Sequence, residues 1–267
     1  MERPLKLSIC QLPDGLSQEH PAWGDLLRSI EIDRPEIVVL NEMPFGPWIA
    51  NRDTFDPNLA KAAVEAHERA IPALQRLPAA VLSSRPVPGP RKLSNEAFLI
   101  ADGAYRPIHH KHCFPEEPGF FEDTWFAPQL PGFDVVEYRG LQIGVLLCTE
   151  LMFNEWARHY RRQGAHVIAV PRASGASHKW DIAAAMAAVV SGCYVVSSNR
   201  APQANDAGSN FSGRGFALSP SGELLGETST STPLVTIDID LARVAEAQRS
   251  YPCYVRELLR QEPAAGS

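Results

Sequence analysis

Short runs of β-branched and aliphatic residues, each closed by proline or a polar residue, recur along this chain and restrict its fold more than any other feature. Lys6-Leu-Ser-Ile-Cys10 and Glu36-Ile-Val-Val-Leu40 read as buried strands, because a brief, nearly continuous apolar run suits a strand covered on both faces. Between them, the stretch from Glu19 to Asp33 carries Trp23, Leu26, Leu27 and Ile30 at helical spacing. Asn58 to Leu77 reads as a second helix entered at Asp56-Pro57, and Pro72 is expected to kink it or end it early. Further strands are expected at Ala80–Ser83, Glu96–Ile100, Val135–Tyr138, Gln142–Leu147, His166–Val170 and Tyr194–Ser198. Helices are expected at Asn154–Gln163 and Asp181–Ser191. Phe216–Ser219, the Pro220-Ser-Gly222 turn and Leu234–Ile239 suggest antiparallel pairing. The mixture is α/β, with strands separated by helices in two places and by hairpins elsewhere. With no internal repeat and no linker-like stretch, one domain over residues 1–267 is the simplest account.

Composition narrows the function. The chain is 45% hydrophobic and 21% charged, which suits a packed core and argues against disorder. A net charge of -6 gives no electrostatic reason to expect nucleic acid or an anionic membrane as partner. The opening residues Met1 to Lys6 lack the apolar stretch of a secretion signal, and the longest apolar runs, such as Ile182 to Val190, are too short for a bilayer. Five dispersed cysteines with no CxxC pair point to free thiols in a reducing compartment, so a cytoplasmic protein is expected.

Three stretches carry reactive residue types, two of them at the ends of strands. In Val38-Val-Leu-Asn-Glu42-Met-Pro-Phe45 a buried strand runs into a carboxylate, and a proline then ends it. Taken alone, Glu42 reads equally as a solvated residue at a strand end, but strand ends in α/β sheets are where reactive groups gather. His109-His-Lys111-His-Cys113 followed by Phe114-Pro-Glu-Glu-Pro-Gly-Phe-Phe-Glu122 packs histidines, a lysine and carboxylates around turn formers. Adjacent His109 and His110 would face opposite sides of a strand, and no second cluster with ligand spacing completes a site, so no metal is expected. Lys111 instead reads as a fixed cation facing developing negative charge, or as ordinary surface polarity. In Gln142-Ile-Gly-Val-Leu-Leu-Cys148-Thr-Glu150 an apolar strand ends in a cysteine, followed by a short turn and a helix with Glu155 and Arg158. A thiol exposed at a sharp turn follows the logic of a nucleophile elbow, and a nearby helix N-terminus and lysine are expected to lower its pKa. Buried free cysteine is the competing reading, and it is the one that Cys10, Cys193 and Cys253 invite.

Together, Glu42, Lys111 and Cys148 in this order resemble the Glu-Lys-Cys triad of the nitrilase (carbon–nitrogen hydrolase) superfamily. The similarity runs from the first strand to about Tyr254. Pro115-Glu-Glu-Pro-Gly-Phe-Phe-Glu122 is similar to a loop of N-carbamoylputrescine amidases and β-ureidopropionases, in which a second glutamate follows the catalytic lysine at the same spacing as Glu122. Gly164-Ala-His-Val-Ile-Ala-Val-Pro171, Ser197-Ser-Asn-Arg200 and Phe211-Ser-Gly-Arg-Gly215 resemble later landmarks. The resemblance implies a four-layer α-β-β-α sandwich and hydrolysis of a small-molecule amide, N-carbamoyl compound or nitrile without metal or organic cofactor. It also implies a homodimer or higher homo-oligomer formed through the helices beside the nucleophile. Residues from about 248, with Tyr251 to Leu259 among them, would suit a C-terminal arm reaching a neighbouring subunit, or a plain amphipathic terminal helix.

The resemblance further implies roles. Cys148 attacks, Glu42 is the general base, and Lys111 with the Thr149 amide stabilises the oxyanion, while Glu122 orients Lys111 or positions substrate and water. Departures bear on the substrate. Many amidase members have an aromatic residue and aspartate after the cysteine, and nitrilases often have Trp-Glu; this chain has Thr149 and Glu150. Leu151, Met152 and Phe153 stand where enzymes of N-carbamoyl-D-amino acids carry arginines, which speaks against that class. Met152, Phe153 and Trp125 are candidates to line an apolar pocket, with core packing as the competing reading. Arg172 is a candidate partner for an anionic substrate group, or a solvated residue.

Overall fold

The computed structural model describes residues 5–129, 132–202 and 211–256. In the first half β1 (Leu5–Leu12), α1 (Pro21–Asp33), β2 (Ile37–Val39), α2 (Pro57–Leu74) and β3 (Ala80–Pro88) alternate, and β4 (Leu93–Ala101) and β5 (Ala104–His110) follow as hairpins. A small ribbon of β6 (Glu116–Glu117) and β7 (Phe120–Phe121) leads into the single-turn α3 (Glu122–Trp125). The second half runs β8 (Val136–Tyr138), β9 (Leu141–Val145), α4 (Asn154–Arg162), β10 (Val167–Pro171), α5 (Lys179–Ser191) and β11 (Tyr194–Arg200). It closes with β12 (Phe216–Leu218), β13 (Leu224–Glu227), β14 (Leu234–Ile239) and α6 (Leu241–Arg249).

Local signals set the helix boundaries. His20 Nδ1 accepts from the Ala22 amide at 3.1 Å, Pro21 occupies the first turn of α1, and Arg34 closes it in the left-handed conformation. Asp56 caps α2 by accepting from the amides of Asn58 and Leu59 at 2.8 and 3.3 Å. The helix stops at Leu74, just past Pro72, in line with the early end that this proline suggests.

Pairing produces two sheets that touch at one place. One has the order β5-β4-β3-β2-β1 with β14 antiparallel to β1, and the other runs β8-β9-β10-β11-β12-β13. They join where Gln11 and Leu12 at the end of β1 pair with Asn199 and Arg200 of β11. Between the sheets lies a core of Leu7, Ile9, Val39 and Leu82 against Ile143, Val145, Ala169 and Val196. Outside the first sheet α1 and α2 bury Trp23, Leu26, Ile30 and Leu74; outside the second, α4 and α5 bury Ala157, Tyr160, Ala184 and Ala188. This is the expected α-β-β-α sandwich. Its alternation explains the apolar runs: each strand residue faces either the inter-sheet core or a helix layer.

Three expectations need correction. Helices join consecutive parallel strands in four places, not two: β1 to β2, β2 to β3, β9 to β10, and β10 to β11. Phe216–Leu218 and Leu234–Ile239 are both antiparallel strands but pair with β11 and β13 and with β1 respectively. β5, β13 and α6 were also not apparent. β5 is an edge strand containing Pro107, and β13 is largely exposed, so neither carries an apolar run. After α6, residues 250–256 fold back on their own chain, with Cys253 buried and Arg158 donating to the carbonyls of Val190 and Val255. The remainder of the expected arm, from 257, lies outside the described residues.

Candidate active site

Three parallel elements and one hairpin strand deliver the reactive residues to the same rim. Glu42 follows β2, Cys148 follows β9, Arg172 follows β10, and Lys111 follows β5, which runs parallel to β3 through two antiparallel steps. The backbone past β2 is tied across the sheets, since the Glu42 amide donates to Arg172 O at 3.2 Å. Met43, the next residue, has φ +43°; its amide donates to Ser84 Oγ and its carbonyl accepts from Arg200, which also pairs with Asp14.

Lys111 Nζ, fully buried, donates to Glu42 Oε1 at 2.8 Å and to Glu122 Oε2 at 2.5 Å. Asn95 Nδ2 donates to the same Glu42 oxygen at 2.7 Å, and the Asn95 carbonyl accepts from the Lys111 amide. Two donors therefore occupy Glu42 Oε1, whereas Oε2 accepts nothing from the described residues and keeps its lone pairs. Two buried carboxylates share one ammonium. Burial pushes the Glu122 carboxyl up to about 8, helped by the Glu42 charge and opposed by Lys111. For Lys111 burial works downward, but Glu122 and Glu42 outweigh it and hold the ammonium well above its ordinary value.

Cys148 opens a short 3-10 turn, Cys148–Met152, with φ +49°. A non-glycine residue held there stores strain of about 1–3 kcal/mol, and the turn is the sharp one expected, but its thiol is buried rather than exposed. Its Sγ reaches Ala173 O at 3.9 Å, next to the Arg172 carbonyl that holds Glu42. Contrary to the sequence reading, the thiol pKa is raised, first by burial and then by the Glu42 charge; Lys111 pulls downward without prevailing. The helix expected to help, α4, begins only at Asn154. The resting group is a thiol, so attack requires a base, and the free oxygen of Glu42 suits that need.

The other candidates separate. Thr149 directly follows Cys148 and is half-buried. Met152 packs against the core beneath α4 and α5. Trp125 is fully buried, with Nε1 donating to Arg52 O at 2.7 Å and its ring against Phe55, so packing accounts for it. Arg172 is buried, not solvated. Its buried guanidinium donates to Ser197 Oγ, Ser174 Oγ and Arg214 O and lies over Trp180 and Phe216. The three histidines disperse: His109 to Glu150, His110 to Glu96, His112 to Gln129 O. Among the described residues no group of three side chains could hold a metal ion.

Two residues near the site are not evident from the sequence. Asn95 is the third residue of β4, just ahead of the run that marks the strand. Glu150 reads from the sequence only as a departure from a pattern. It is fully buried, which nothing local to it announces.

The comparisons with known proteins give the family and the fold. Residues 9–249 match the carbon-nitrogen hydrolase family model, and the chain belongs to that family. It is similar to N-carbamoylputrescine amidase of Arabidopsis thaliana, 27% identical over 171 residues, which cover 58% of this chain and 57% of that relative. The match thus spans little more than half the relative's length. A carbon-nitrogen hydrolase from Helicobacter pylori has the same fold, with TM-score 0.81, 22% identity and 94% of each chain covered. So does an amidase from Nesterenkonia sp., with TM-score 0.76, 21% identity and 92% and 95% covered.

Proposed function

We propose that this chain hydrolyses the non-peptide C–N bond of a small amide or N-carbamoyl compound through a thioester on Cys148. The observation that carries this reading is the buried Lys111 ammonium fixed between Glu42 and Glu122, next to a strained turn that presents a thiol. Glu42 Oε2 takes the thiol proton as Sγ attacks the carbonyl carbon. Lys111 and the Thr149 amide hold the oxyanion, one such donor contributing about 2.7–4 kcal/mol. Glu42 returns the proton to the departing nitrogen, and the C–N bond breaks. It then activates a water, which cleaves the thioester to the acid and restores the thiol. Glu122 anchors Lys111 together with Glu42. No cofactor is needed by this route.

Ammonia release over a panel of short amides, N-carbamoyl amines and acids, and nitriles tests the reading. Wild-type protein is expected to turn over amides or N-carbamoyl compounds, and Glu42→Gln, whose Oε1 can still accept from Lys111 and Asn95, to lose activity by ~100-fold or more. Release from nitriles alone would favour the nitrilase reading, towards which Glu150 leans. No release from any compound would favour a ligand-binding relative.

The 9–249 match supports reading the chain as a single hydrolase domain. Five free cysteines support a reducing, cytoplasmic setting. No helix among the described residues is long and apolar enough to cross a membrane. Homodimerisation through α5 is supported by Ile182 and Met186, exposed one turn apart at 59% and 46%. Sedimentation should show a dimer that Ile182→Glu with Met186→Glu converts to monomer; a monomeric wild type would refute it.

A further inference from the structure

Glu150 is a fully buried carboxylate that the proposed chemistry leaves unused. Its oxygens gather three N–H donors from two distant segments. Oε2 accepts from the Leu147 amide at 2.7 Å and from His109 Nε2 at 2.8 Å, and Oε1 accepts from the His112 amide at 2.7 Å. Leu147 immediately precedes Cys148, while His109 and His112 bracket Lys111. One side chain therefore ties the turn that presents the thiol to the segment that presents the ammonium.

The proton inventory explains why this position holds a carboxylate. His109 Nδ1 accepts from the Phe133 amide at 3.3 Å, so a neutral His109 carries its proton on Nε2, facing Glu150. All three partners are donors, and only an acceptor-only group satisfies them together. Glutamine in the same place would set its own NH₂ against one of these N–H groups. The surroundings fix the histidines in turn: His109 packs on Phe133 and His112, and a Cβ at Gly132 would come within 2.9 Å of a ring nitrogen of each.

Glu150 also holds Leu147 at both of its backbone groups. Its side chain accepts from the Leu147 amide, and its own amide donates to the Leu147 carbonyl at 3.1 Å. That carbonyl belongs to the peptide that leads into the left-handed Cys148, and a strained residue persists only where its surroundings over-determine it. We propose that Glu150 is a positioning residue, which sets where Cys148 Sγ and Lys111 Nζ stand relative to each other through the Leu147 amide and the His109–His112 segment. The inference rests on the reading of Cys148 and Lys111 as nucleophile and oxyanion partner.

The test uses Glu150→Gln, His109→Phe and His109→Gln in the full chain, with folding followed by circular dichroism and thermal melting. The readouts are kcat and KM on an amide that the wild type turns over, and the rate of Cys148 alkylation by iodoacetamide, followed by mass spectrometry. Folded Glu150→Gln is expected to lose kcat by ~100-fold with KM changed by less than about threefold, since the reacting groups are misplaced while substrate binding is kept. Its Cys148 alkylation is expected to slow by roughly tenfold, because the thiol no longer meets its base. His109→Phe, which removes one donor and keeps the ring shape, should lose kcat by about tenfold, and His109→Gln, which restores an N–H near the Nε2 position, should recover most of it. A folded Glu150→Gln with kcat within about threefold of wild type overturns the proposal. If that variant does not fold, the histidine pair decides: His109→Gln no better than His109→Phe overturns it equally. If the wild type releases no ammonia from any amide, the hydrolase reading fails by itself, and the alkylation rates alone then uphold or overturn the positioning role.

Discussion

Cys148→Ala is expected to abolish turnover, lowering kcat by about 10⁴- to 10⁶-fold, because removing a covalent nucleophile leaves only binding and oxyanion stabilisation. The variant isolates chemistry from folding. Alanine tolerates φ +49° about as poorly as cysteine, so the strain of the turn is retained. The lost contact to Ala173 O is long and weak. The melting temperature should therefore shift by no more than a few degrees, consistent with a change of about 1 kcal/mol or less. Ammonia release measured for wild type and variant on the same substrate checks this. A variant retaining more than about a hundredth of wild-type kcat would remove Cys148 from the mechanism.

Lys111→Met should damage both activity and stability. The side chain is fully buried and is the cation that Glu42 and Glu122 share, so its loss leaves two buried carboxylates without a counter-charge. Breaking such a pair costs about 3–5 kcal/mol. In a chain of this size that corresponds to roughly 2–4 °C of melting temperature per kcal/mol. Turnover should fall by about 10²- to 10³-fold or more through loss of the oxyanion partner. The pH dependence follows from the carboxylates. Burial already raises Glu122 from 4.5 to about 8 with Lys111 present, and without Lys111 it must rise further. A folded pKa above the unfolded one contributes stability that is complete below the unfolded value and is lost as pH climbs through the folded one. The variant's deficit against wild type should therefore widen from about pH 8 upward, where wild-type Glu122 gives up its proton and the variant's still holds it. Thermal melts of both proteins across that range check it. An equal melting temperature at every pH would show that the ammonium is not what balances the two carboxylates.

Much of this architecture was legible in the residues. Periodicity marked α1, α4 and most of α5, and the apolar runs marked β1, β2, β9, β10 and β11 to within a few residues. These elements are buried on the faces that their own patterns declare. Elements without such a pattern went unseen: the edge strand β5 with its proline, the exposed β13, and α6, which buries little beyond Val244. The order Glu42, Lys111, Cys148 was visible too: Glu42 and Cys148 each end an apolar run, and Lys111 sits in a histidine- and carboxylate-rich stretch among turn formers. For Trp125 and Arg172 the local pattern says less than the neighbours do. A large amphipathic side chain beside a reactive motif reads as substrate-facing, and only the neighbours show its polar atoms already taken, by Arg52 O in one case and by Ser197, Ser174 and Arg214 in the other.

Local periodicity and turn chemistry were enough for the buried helices and strands, their order and the residue types at their ends. Tertiary structure alone decided the protonation and the geometry. The contacts that matter join Lys111 to Glu42, Asn95 and Glu122, and Glu150 to His109, His112 and Leu147, across strands brought together by non-local pairing. Whether a thiol near a lysine is acidic or not depends on how much water the surrounding sheets exclude. Here burial outweighs the cation and raises the Cys148 thiol, while Glu42 Oε2 accepts nothing from the described residues, as the proposed base requires.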